Sequence, residues 1–103
     1  MKDVSAQEFW TEIKEGVVVV DLWAEWCRPC KAIEPYLREL AARYPSVKFI
    51  RLNTDEYPEV PMELGVVSIP TILFFKDGNE VRRIIGAKPK HVYQKALQEI
   101  AEG

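Results

Sequence analysis

Val17-Val18-Val19-Val20-Asp21-Leu22-Trp23-Ala24-Glu25-Trp26-Cys27-Arg28-Pro29-Cys30-Lys31 joins two segments of different periodicity and holds both cysteines of the chain. Val17 to Trp23 is short, β-branched and apolar at odd and even positions alike, the pattern of a parallel strand covered by helices on both faces. From Pro29 to Tyr44 the residues Ile33, Tyr36, Leu37, Leu40, Ala41 and Tyr44 recur at helical spacing instead. Cys27 therefore falls at a helix start, where unpaired backbone N–H groups and the positive end of the macrodipole favour a thiolate. Cys30 lies one turn further in. A mixed disulfide formed at Cys27, taken as the exposed sulfur, is open to attack by Cys30, because the helix holds the two sulfurs within reach and makes that step unimolecular. The chemistry expected is dithiol–disulfide exchange, with Trp26 and Pro29 framing the pair and Trp26 touching partners.

Working outward, Ser5-Ala6-Gln7-Glu8 reads as a capping box, and Phe9, Trp10 and Ile13 form the apolar stripe of a first helix ending near Gly16. Pro35 should bend the second helix, and Pro45-Ser46 ends it. Val47 to Leu52 reads as another buried strand, and Asn53 to Gly65, with Pro58 and Pro61, has room only for short helical turns. Thr71 to Phe75 and Val81 to Ile85 flank Lys76-Asp77-Gly78-Asn79-Glu80, which predicts an antiparallel hairpin. Lys88 to Glu102 closes the chain as a helix with Pro89 in its first turn and Val92, Tyr93, Ala96, Leu97 and Ile100 as a core stripe. The order is βαβ followed by ββα, an α/β domain spanning residues 1–103 with one mixed sheet of four to five strands and helices on both faces.

Asp21 is an acid inside a buried strand pattern, which costs desolvation and should raise its pKa. A carboxylate behind the cysteine pair can take the proton from Cys30 when Cys30 must attack; the alternative is a structural carboxylate satisfied by a hydrogen bond or by Arg51. Arg51 is itself mid-strand between Ile50 and Leu52. Two readings stand for it: a counter-charge that holds Asp21 more ionised, or a guanidinium that snorkels to the sheet edge and pairs with a surface acid. A zinc site is the rival use of two cysteines at this spacing. It lacks a second half, since the one histidine, His91, lies far along the chain in a helical pattern and reads as a surface residue.

The run Val20 to Cys27, followed by Pro29-Cys30-Lys31, resembles the active-site signature of the thioredoxin family. Pro35, Leu52-Asn53-Thr54-Asp55, Ser68-Ile69-Pro70-Thr71, Phe75-Lys76-Asp77-Gly78 and Gly86-Ala87 continue the likeness in the family's order over nearly the whole chain. It thins at Met1 to Val4, so the opening strand should be short or absent. The resemblance implies the thioredoxin fold, Cys27 as nucleophile, Cys30 as resolving thiol and Asp21 as base. It further implies a cis Ile69–Pro70 bond and an apolar docking surface in which Ile69, Pro70, Ile85, Gly86 and Ala87 join Trp26, Arg28 and Pro29. Arg28 departs from the usual Gly, and Arg51 from the usual Lys. A guanidinium beside Cys27 should favour the thiolate and make the pair slightly more oxidising, whereas Arg51 cannot give up a proton.

What the resemblance implies for activity is protein-disulfide reduction without a bound cofactor or metal. The electrons then come from a thioredoxin reductase, and the clients are disulfide-bearing proteins such as ribonucleotide reductase, peroxiredoxins or methionine sulfoxide reductases. Two other readings are an oxidase or isomerase of an oxidising compartment, which Arg28 favours, and a non-catalytic docking module. The formal charge of −2, with acids and bases interspersed, offers no stripe for nucleic acid and no anchor for a membrane. The expectation is a cytoplasmic monomer, as no apolar leader precedes the first helical pattern.

Overall fold

In the computed structural model, which describes residues 1–102, a two-residue strand β1 (Lys2–Asp3) precedes α1 (Ala6–Glu12) and the central strand β2 (Val17–Trp23). Then follow α2 (Arg28–Arg43), β3 (Lys48–Asn53), a short α3 (Glu59–Leu64), the hairpin β4 (Thr71–Lys76) and β5 (Asn79–Ile85), and α4 (Lys90–Glu102). The five strands lie in the order β1-β3-β2-β4-β5, with β3 parallel to β1 and β2, and β4 antiparallel to β2 and β5. This is the mixed sheet expected, with the opening strand present but minimal.

The capping box closes as read. Ser5 Oγ accepts from Glu8 N at 3.1 Å and Glu8 Oε1 accepts from Ser5 N at 2.9 Å. α1 is shorter than its stripe suggested: it stops at Glu12, and Ile13 to Gly16 turn the chain back through a left-handed Gly16. The hairpin runs further than expected, because Asp77 and Gly78, at φ 49° and 89°, turn the chain in two residues and free Asn79 and Glu80 to pair. Asp77 also ties the turn down, its Oδ1 accepting from Gly16 N at 2.9 Å. Pro89 lies just before α4 rather than in its first turn, its carbonyl accepting from Val92 N. α2 continues unbroken through Pro35.

Alternation along β2 sorts the core. Val18, Val20 and Leu22 face α1 and α3 with Phe9, Ile50, Leu52, Val60, Leu73 and Phe75, and the Phe9 ring meets Phe75 edge-on at 5.9 Å. Val19 faces α2 and α4 with Ile33, Leu37, Leu40, Ile72, Phe74 and Leu97. Each of these side chains, fully buried, contributes about 1.5–3 kcal/mol of transfer free energy, and both faces of β2 are thereby fixed. The consequence for the site is geometric. β2 delivers the chain from the middle of the sheet directly into the loop before α2, so the cysteines sit on a rigid platform. Asp21 occupies the α2 side of the same strand, where a one-residue slip in register is forbidden by the Val18/Val20/Leu22 set.

Candidate active site

Cys27 caps the N-terminus of α2, with φ −86° and ψ 101°, and its Sγ accepts the Cys30 N–H at 3.2 Å. The backbone reaches this conformation through a turn in which Cys27 N donates to Ala24 O at 3.1 Å. The two sulfurs are bonded to each other across a Cα–Cα distance of 5.3 Å, so the pair is held in its oxidised form. The expectation that Cys27 is the exposed sulfur fails: both cysteines are 2% exposed. Ile69, from a loop some forty residues on, and Trp23 pack against the small cluster of Ala24, Cys27 and Cys30. What separates the cysteines is therefore electrostatics rather than exposure. Only Cys27 has its sulfur at the capping position, where a backbone N–H already points at it and would hold a thiolate.

Trp26 stands 68% exposed beside the pair. Its Nε1 donates to Asp55 Oδ2 at 2.8 Å, and Asn53 Oδ1 in turn accepts from the Asp55 and Glu56 amides, so the indole is fixed in place while its face stays open. A groove of about 220 Å³ runs from it between Thr54, Pro61, Val66, Val67 and Ile69. Arg28, the first residue of α2, and Pro29, between the two cysteines, are both exposed. Arg28 forms no ion pair with any described residue.

Ile69–Pro70 is a cis peptide, placed directly before β4. Pro70 itself is buried, while Ile85 and Ala87 are exposed. Gly86 N donates to Pro70 O at 2.8 Å and so joins the turn after β5 to the loop before β4, at a φ of 89° that a side chain would strain. A latch absent from the sequence reading holds this corner from behind. The Tyr93 phenol donates to Gly86 O at 3.1 Å and accepts from Lys88 N at 3.0 Å. Tyr93 reads in sequence only as a core residue; the signal available was a lone hydroxyl in an otherwise apolar stripe, which must find partners when buried. Tyr93→Phe leaves both groups unpaired, so it is expected to destabilise by about 1–2 kcal/mol and to speed hydrogen exchange at the Lys88 amide, as two-dimensional NMR would show.

Asp21 is 1% exposed, and neither carboxyl oxygen accepts a hydrogen bond from any described residue. Burial pushes its pKa up to about 7, against the pull of the Arg51 guanidinium. Both readings of Arg51 are partly met. It sits opposite Asp21 in the β2–β3 register with Nε 3.7 Å from Oδ2, yet it also reaches Glu34 at 3.0 Å and Asp3 at 3.5 Å and lies 4.0 Å over the Trp23 ring. Glu34 was not singled out by sequence, because a polar residue on a helix face has no mark distinguishing it from a solvated one. His91 is exposed, as read.

A family model described as Thioredoxin matches residues 1–99. The chain is 46% identical over 90 residues to a thioredoxin of Chlamydia caviae, covering 87% of this chain and 88% of that one. It is 39% identical over 100 residues to a thioredoxin of Listeria monocytogenes, covering 96% and 97%. Among solved structures, the thioredoxin of Trypanosoma brucei brucei superposes with a TM-score of 0.91 at 29% identity, covering 98% of this chain and 90% of that one.

Proposed function

The chain belongs to the thioredoxin family, and from that membership we propose that Cys27 attacks, Cys30 resolves and Asp21 moves the proton as the chain reduces disulfides in other proteins. Dithiol–disulfide exchange at the Cys27–Cys30 pair is the activity. The observation that carries the direction of attack is the Cys30 N–H aimed at Cys27 Sγ from the helix start. In the dithiol form the Cys27 thiolate attacks one sulfur of a client disulfide. A Cys27–client bond forms, the client's own S–S bond breaks, and one client thiolate leaves. Cys30 then gives its proton to the Asp21 carboxylate, directly or through a water, and its sulfur attacks Cys27 Sγ. The second client thiolate departs with the electron pair, the client has gained two electrons, and the pair is left as the disulfide.

A client segment lying along the groove beside Trp26 would present its backbone to the loop at Ile69–Pro70 and its apolar side chains to Ile85 and Ala87. Thioredoxin reductase is the donor we assign for returning the pair to dithiol, and a reducing compartment such as the cytoplasm is where that cycle can run. No helix among the described residues is long and apolar enough to cross a membrane. Catalysed reduction of insulin's interchain disulfides by dithiothreitol tests this reading; a rate equal to that of dithiothreitol alone would refute it.

Arg28 tunes the pair rather than reversing it. Its charge is exposed at the first helical residue, so stabilisation of the Cys27 thiolate is modest and raises the potential by about 10–20 mV. Arg28→Gly is expected to raise the Cys27 thiol pKa and lower the potential, with both differences shrinking as salt is added. Thiol titration and redox equilibration at low and high ionic strength would measure it, and a salt-independent shift would assign the effect to backbone change instead.

A further inference from the structure

An arginine placed directly across a strand pair from a buried carboxylate ordinarily closes on it with two short hydrogen bonds. Arg51 does not. Its nearest approach to Asp21 is 3.7 Å, outside hydrogen-bonding distance, and both Asp21 oxygens and Arg51 Nε are left without partners. The guanidinium is engaged elsewhere: Nη2 lies 3.0 Å from Glu34 Oε1 on α2, Nη1 lies 3.5 Å from Asp3 on β1, and the plane rests over Trp23. Glu34 is itself fixed, because its other oxygen, Oε2, accepts from Arg38 Nε at 2.8 Å one turn along the helix.

We propose that Glu34 is a positioning residue that holds Arg51 off Asp21, so that the buried acid is not locked into a permanent ion pair and stays free to exchange a proton with Cys30. Its bearing on turnover rests on the assignment of Asp21 as the base, but the geometric claim does not. The effect has a direct route and a route through Arg51. Glu34 repels charge on Asp21, and it also draws the opposing cation away. Both act in the same direction, and burial does the rest. The other charges facing Asp21 are Asp3 on β1, which opposes its ionisation, and Arg38 on α2, which favours it; the Tyr93 phenol on α4 feels the Asp21 charge in return. Removing Glu34's charge leaves Arg51 with one buried acid in reach and one largely exposed competitor, Asp3. The guanidinium then closes on Asp21.

The experiment is titration of the Asp21 carboxyl by carbon-detected NMR in wild type, Glu34→Gln and Glu34→Ala, alongside the pH dependence of insulin reduction. In both variants the Asp21 midpoint is expected to fall by about one pH unit, a tenfold fall in the ratio of protonated to ionised form at a fixed pH. In an Arg51→Met background, or Arg51→Gln if that chain folds poorly, the same Glu34 substitution should move the midpoint by less than half as much. An unchanged or raised midpoint in the single variants would overturn the proposal. So would an equal shift with and without Arg51, since Glu34 would then act by its own charge alone. A midpoint that falls as expected while the rate profile stays put would uphold the positioning role and refute Asp21 as the base.

Discussion

Cys27→Ser is expected to reduce catalysed insulin reduction to the background of dithiothreitol alone, while Cys30→Ser accumulates covalent adducts with its clients. The asymmetry follows from the helix start. Cys27 Sγ occupies the capping position and receives the Cys30 N–H, so it is the sulfur whose thiolate is stabilised and which attacks. Without it there is no first bond. Without Cys30 the first bond still forms, but the intramolecular thiol that would break it is gone, and an effective concentration far above any external thiol is lost with it. Non-reducing electrophoresis after mixing each variant with a disulfide client measures both. Burial of the two cysteines to the same extent means that exposure cannot produce such an asymmetry. Equal trapping by the two variants would therefore remove the electrostatic account of their roles.

Asp21→Asn is expected to stabilise the fold at alkaline pH and to remove the rise in turnover near neutrality. Folding lifts the Asp21 pKa from its ordinary 3.8 to about 7, so the folded state binds the proton more tightly than the unfolded chain does. The contribution of Asp21 to stability is then greatest below about pH 4, falls as pH rises through the interval up to 7, and is level above it. The three-unit lift corresponds to roughly 4 kcal/mol at its largest. An amide that also lacks partners gives back part of this, about 1–3 kcal/mol, so the net gain above pH 8 should be on the order of 2 kcal/mol. At pH 4, where the wild-type carboxyl is neutral, the variant should instead be the less stable of the two by about 2 kcal/mol, the cost of its unpartnered amide. Denaturant unfolding across pH 4–9 reads this directly: the wild-type slope should be missing from the variant. In the rate profile the wild type should rise with a midpoint near 7, as the carboxylate forms. The variant should lag most between pH 7 and 8 and recover only where solvent begins to ionise Cys30 unaided. Coincident rate profiles with a lost stability slope would make Asp21 a buried acid without a catalytic role.

The parts of this site that could be read from sequence are those whose physics is local. Cys27 at a helix start, the capping box at Ser5 and Glu8, and an acid among valines each announce themselves within a few residues. The two-residue turn at Asp77 and Gly78 was placed but read too wide, because Asn79 and Glu80 have turn-like composition yet pair with Lys76 and Phe75. What the sequence could not disclose depends on where distant segments land. The cluster that holds Cys27 and Cys30 is packed by Ile69, whose placement is set by the whole β3–β4 connection. Glu34 matters because α2 lies across β3 with that residue over Arg51, a consequence of helix rotation and not of composition. Tyr93 was visible as a core residue, but its hydroxyl partners are backbone groups of the Gly86–Lys88 loop, whose path only the fold defines. The proposed docking surface rests chiefly on family resemblance, since Ile69, Ile85 and Ala87 have no local mark of function.

The reductive direction of the exchange is the central claim, and the reduction potential of the Cys27–Cys30 pair tests it most directly. Equilibration against a glutathione or dithiothreitol redox series, with the two states separated by alkylation, measures it. The account predicts a value close to that known for thioredoxins, about −270 mV, displaced upward by only the small contribution of Arg28. A value at or above about −180 mV, in the range of disulfide isomerases and the strong periplasmic oxidant, would contradict it and make the pair a donor of disulfides rather than a reductant.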